Sequence, residues 1–103
     1  VFYVVLVTTK DQSEAKRIVE QLVSEKFVAC ANIVPSVSST YWWKGKIEHA
    51  DEALVVMKTS NEKLERLIAR IKELHSYEVP EILALPIEHG LPEYLKWLKE
   101  SLG

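Results

Sequence analysis

The sequence predicts an α+β sandwich in which helices pack on one face of an antiparallel sheet. Two observations carry this. Stretches of β-type and helix-type apolar periodicity alternate in the order β-α-β-β-α-β with one more helix at the end, and a single long hairpin sits in the middle of the chain. The 103 residues, 48% hydrophobic and 27% charged, fit a single globular domain over 1–103.

Phe2 to Thr8 is β-branched, aromatic and almost continuously apolar, the pattern of a central strand covered on both faces. Asp11 with Glu14 three residues later marks a helix start, the aspartate capping and the glutamate reaching back toward free N–H groups. Ala15, Ile18, Val19, Leu22 and Val23 then form one apolar stripe. Phe27 to Val34 reads as a second strand, with Pro35 as an edge, bulge or bend and a resumption from Val37 to Trp43. Lys44-Gly45 is the hairpin tip, and the return runs through Lys46–Glu48 and Ala53–Thr59. Thr59 and Glu62 stand at capping-box spacing before a second helix whose buried stripe is Leu64, Leu67, Ile68, Ile71 and Leu74 or His75. Glu62 and Arg66 form an i,i+4 pair on its wet side. A loop from Ser76 to Pro80 leads into a fourth strand, Glu81 to Ile87, in which Pro86 marks an edge position or a frayed end. Pro92 opens a short terminal helix with Leu91, Tyr94, Leu95, Leu98 and Leu102 on one side. This connectivity is the split βαβ, ferredoxin-like arrangement.

Several function classes recede at once. The net charge is −2 without a dense Lys/Arg cluster, which argues against nucleic acid. The apolar stretch Val1 to Val7 is far shorter than a bilayer span, and with a lone cysteine, Cys30, the expectation is a cytoplasmic, disulfide-free protein off the membrane. No triad, G-x-G-x-x-G or Walker signature occurs, so no enzyme is expected. After the first strand stands Thr8-Thr9-Lys10-Asp11, which has neither the Gly and Arg of a phosphate cradle nor a C-x-x-C. The hairpin would overhang a compact domain and leave Tyr41, Trp42 and Trp43 in water, so a closed cyclic oligomer is expected to cover them. Packing on the domain's own open face is the alternative.

Cys30-Ala31-Asn32, Ser39 through Ile47 (STYWWKGKI), Lys58-Thr59, His75 through Ile82 (HSYEVPEI) and Tyr94 through Leu98 (YLKWL) together resemble the CutA, or divalent-cation-tolerance, proteins in order and spacing. The resemblance spans essentially the whole chain. It implies a ferredoxin-like homotrimer with an architecture similar to PII signalling proteins, a cytoplasmic place in microbes, and a link to tolerance of divalent metals, copper above all.

Thiolate and imidazole suit copper, and zinc nearly as well, so Cys30 and His75 are the candidate metal ligands, both on family-motif positions. The same residues also fit blander roles, Cys30 as core packing and His75 as a helix cap or loop anchor. Some family members place a second cysteine at the end of the first strand; Val7 stands here, which argues against a two-sulfur site. His49 and His89 read as exposed polar residues. Tyr77, Glu78 and Glu81 gather hydroxyl and carboxylate groups beside His75 on a loop stiffened by Pro80. The resemblance puts that loop near a cleft between subunits, facing the hairpin aromatics, Trp43 among them, and Lys58. Three readings follow: a copper-binding or divalent-metal-homeostasis protein with no required cofactor, a PII-like regulatory trimer whose cleft takes a small effector or a partner protein, or a scaffold that stabilises or anchors another protein.

Overall fold

The computed structural model describes residues 1–103. The elements are β1 (Phe2–Thr9), α1 (Gln12–Ser24), β2 (Cys30–Trp43), β3 (Lys46–Ser60), α2 (Leu64–Leu74), β4 (Ile82–Pro86) and α3 (Pro92–Leu102). The four strands form one sheet in the order β2-β3-β1-β4, with every neighbouring pair antiparallel. This is the ferredoxin-like arrangement the connectivity predicts.

Alternation along the strands divides the sheet into two faces. Val5, Val7, Ala53, Val55 and Met57 point toward α1 and α2, where they meet Ala15, Ile18, Leu22, Leu67 and Ile71 in one buried core. The other face carries Val4, Leu6, Leu54, Val56, Leu83 and Leu85. These are in register across the strands (Leu6 opposite Val56 and Leu83; Val4 opposite Leu85), and α3 packs against β3. Leu98 and Leu102 of α3 are buried, whereas Leu91, Tyr94 and Trp97 stay exposed.

Local chemistry explains the boundaries. Asp11 caps α1 by accepting from the Glu14 N–H at 2.8 Å, and Glu14 Oε1 accepts from the Lys10 N–H at 3.0 Å. The helix ends in a left-handed Lys26 (φ 60°), with the Phe27 N–H returning to the Leu22 carbonyl, a Schellman closure made without glycine. That closure holds Phe27 at the helix end, so β2 begins at Cys30, three residues later than the periodicity predicts. The register shifts between Val34 and Val37, so Pro35 and Ser36 oppose a single residue as a β-bulge. Lys44 and Gly45 both take positive φ, 49° and 77°, the backbone of a type I′ turn. Tyr3 pairs with Pro86 on the edge strand β4, where a missing N–H costs the sheet nothing.

Two expectations fail. Thr59 does not cap α2; its hydroxyl donates to the Phe27 carbonyl at 2.6 Å, and the helix begins after a backbone turn at Lys63 with no side-chain cap. Glu62 and Arg66 form no ion pair. The pair that ties the helices together is Arg70 to Glu25, with Nη2···Oε2 at 2.8 Å and Nε···Oε1 at 2.9 Å, joining α2 to the C-terminal end of α1. Its bidentate guanidinium–carboxylate geometry makes it the stronger kind of ion pair.

Candidate functional site

The richest concentration of polar groups lies where β1 ends, α1 begins and α2 ends. His75 closes α2 and is buried, its ring between two backbone partners. Nε2 donates to the Thr8 carbonyl at 2.7 Å, and Nδ1 accepts from the Tyr77 N–H at 3.0 Å. One donor and one acceptor make this the Nε2–H tautomer with both nitrogens engaged. Glu14, whose side chain is 1% exposed, lies with Oε2 4.0 Å from Nδ1. That same oxygen accepts from the Ser76 N–H at 2.8 Å. Burial pushes the Glu14 carboxyl up, but the hydrogen bonds from Ser76 and Lys10 outweigh it and hold the group below the usual carboxylate range.

Tyr77 stacks obliquely on His75, ring centroids 4.9 Å apart, and its hydroxyl donates to Glu52 Oε2 at 2.8 Å. Burial, then the bond to Glu52, raise its pKa well above that of a free phenol. Glu78 and Glu81 stand exposed on the same loop, and Val79 between them is 83% exposed. The loop therefore has a fixed root and an open rim.

Cys30 lies elsewhere. It sits half-buried on the face opposite the helical core, paired across strands with Lys58, and its Sγ is 3.4 Å from Tyr94 Oη of α3. The hydrogen bond with Cys30 is the leading cause that raises the Tyr94 pKa. The Lys58 ammonium is taken up by Asn32 Oδ1. Lys58 pairs with Val4 on β1, whereas the His75 ring binds Thr8, four residues or roughly 13 Å further along that strand. Cys30 and His75 of one chain are thus not neighbours, and no group of three or more His, Cys, Asp or Glu side chains within the chain is arranged to hold a cation. Trp43 is 58% exposed beside the turn, with Lys44 Nζ 5.7 Å from its ring.

His75 and Tyr77 are brought into contact, Glu78 and Glu81 share their loop, Cys30 and Lys58 form a second locus, and Trp43 forms a third. Sequence reasoning missed Glu14 as the buried anchor and Glu52 as the acceptor for Tyr77. For Glu14 a signal existed: it stands in line with Ile18 and Leu22, at i, i+4 and i+8, on the buried side of α1. Nothing local marks Glu52.

Residues 3–101 match the family model "CutA1 divalent ion tolerance protein". The divalent-cation tolerance protein CutA of Thermus thermophilus is 45% identical over 97% of this chain and 97% of its own length. A chloroplastic CutA 1 of Oryza sativa is also 45% identical, over 95% of this chain but only 55% of its own length, so the chain spans about half of that relative. Among solved structures, CutA of Archaeoglobus fulgidus, described as periplasmic, superposes with a TM-score of 0.96 at 39% identity over the whole of both chains. The T. thermophilus structure does so with 0.96 at 44% identity, again over the whole of both. The chain belongs to the CutA divalent-cation tolerance family. No helix of the structure is long and apolar enough to cross a membrane.

Proposed function

We propose that this protein serves divalent-metal tolerance by binding the cation, copper in the first instance, as a cytoplasmic homotrimer that performs no catalytic step. Family membership carries the reading: model and relatives alike bear names for divalent-cation tolerance. The donor chemistry supports it. A half-buried thiol at Cys30 and an imidazole at His75 are donor types suited to copper. Because one chain gathers no three-ligand cluster, the remaining donors come from neighbouring copies, from rearrangement of the Glu78–Glu81 loop, or from water. An oligomer is supported by the exposed aromatic hairpin, with Trp42 at 72% and Trp43 at 58%, and by the exposed Leu83 and Leu85.

A second reading has its own observation. Both nitrogens of His75 are engaged in holding the loop, while Glu78 and Glu81 on the rim are free of side-chain partners. This favours a PII-like trimer whose inter-subunit cleft, formed by Tyr77, Glu78, Glu81, Lys58 and Trp43, binds a small effector or a partner protein.

The test is a calorimetric copper(II) titration of the metal-free oligomer alongside Cys30→Ala and His75→Ala. Tight binding at one site per chain, lost in either variant, supports the metal reading. Weak binding that survives both substitutions transfers the function to the effector reading.

A further inference from the structure

The hairpin beyond the sheet is an arm of only two strands. β1 ends at Thr9 opposite Ala53, so the rungs from Glu52 to Lys46, facing Val37 to Trp43, have no third strand beside them. The bulge at Pro35 and Ser36 lies at the root of this arm, and Glu52 pairs with Val37, the first rung past it. A bulge is where a ribbon bends and twists most readily. One side-chain hydrogen bond reaches the arm from the rest of the domain, and it lands on that rung: Tyr77 Oη to Glu52 Oε2, 2.8 Å.

Tyr77 is in turn fixed from behind. Its N–H is held by His75 Nδ1, the His75 ring is held by the Thr8 carbonyl, and the neighbouring Ser76 N–H is held by Glu14. A continuous chain of bonds thus runs from the buried end of β1 to the root of the arm.

We infer that Tyr77 is a strut that couples the His75 anchor to the hairpin arm, so that the state of the His75 ring sets the stiffness of the arm. The Nδ1 lone pair serves one partner at a time. Any species that takes it displaces the Tyr77 N–H, shifts the phenol and loosens its hold on Glu52. The strut follows from the fold alone; its service as a sensor of bound cation rests on the metal reading above. By linkage, a cation that releases the strut binds more tightly where the strut is already missing.

Hydrogen–deuterium exchange of the amides of residues 37–52 tests this in the intact protein, with α1 as internal control. Tyr77→Phe removes the hydroxyl and keeps the ring and N–H; arm exchange should rise roughly five- to tenfold, the factor of one ordinary net hydrogen bond. Glu52→Gln still offers an acceptor oxygen and should stay near the parent. His75→Ala should loosen the arm by a similar factor, and its combination with Tyr77→Phe should add little, because both cut one chain of bonds. Copper(II) should raise arm exchange in the parent but not in Tyr77→Phe, which should bind copper the more tightly of the two.

Unchanged arm exchange in Tyr77→Phe overturns the strut. Fully additive His75→Ala and Tyr77→Phe effects overturn the coupling; if His75→Ala does not fold, an arm indifferent to copper(II) that demonstrably broadens the His75 ring resonances does the same. Copper affinity unaffected by His75→Ala overturns only the metal reading and leaves the strut to the metal-free comparison.

Discussion

On the helix side of the sheet Val5, Val7, Ala53, Val55 and Met57 are each 1% exposed or less, while on the opposite side Leu83 and Leu85 stand 55% and 50% exposed. The strands are the same, and alternation alone sends their residues to two environments. α1 and α2 seal the first face within one chain. α3 covers the second only in part, burying Leu98 and Leu102 and leaving Trp97 at 44% and Tyr94 at 41%. The first face therefore accounts for the folding of the chain, and the second, with the hairpin arm, is the surface that association would complete. An apolar area of this kind on an isolated domain calls for a partner, and matching copies are the economical one.

The largest effect is expected from a cavity on the sealed side. Leu22→Ala, at a position with no exposure, should cost about 2–5 kcal/mol in denaturant unfolding. A cost below about 1 kcal/mol would mean that this core is not what holds the fold. Next, Leu83→Glu combined with Leu85→Glu should leave the circular dichroism of the domain intact while lowering its mass in solution, since both side chains already face water in the single chain. Loss of fold in that variant would erase the distinction between the faces.

A smaller effect is expected from Glu14→Gln, which keeps the shape and removes the charge from a carboxylate that accepts from Lys10 and Ser76: about 1–3 kcal/mol. The pH dependence follows with a definite sign. Glu14 and Glu25 both have folded pKa values below those of the unfolded chain, Glu25 at about 2 because Arg70 hydrogen-bonds it. Their contribution is complete above the ordinary carboxylate pKa of about 4.3 and is lost as pH falls toward 2. An acid titration of stability should slope downward across that window, less steeply in Glu14→Gln. The smallest effect belongs to Glu62→Ala, within about 0.3 kcal/mol of the parent, because Glu62 pairs with nothing on α2.

Much of this fold is legible from residue types whose effect is local. Asp11 and Glu14 announce a capped helix, Pro35 a break that proves to be the bulge, Lys44-Gly45 the turn, and Pro86 an edge strand. Thr59 misleads for the same reason: its spacing to Glu62 fits a cap, but a tertiary partner, the Phe27 carbonyl, takes the hydroxyl instead. The candidate site is less legible because its bonds join distant segments. His75 carries a visible motif, yet its ring is held by Thr8, 67 residues away, and Tyr77 reaches Glu52 across 25 residues. Neither partner stands out by type or spacing in its own strand.

The division of labour between the two faces is tested most directly by the solution mass of the chain at micromolar concentration, measured by multi-angle light scattering. The homotrimer proposed above gives three times the 11.8 kDa of one chain. A stable single-chain mass would contradict it, for then the open face and the aromatic arm would endure in water without a partner.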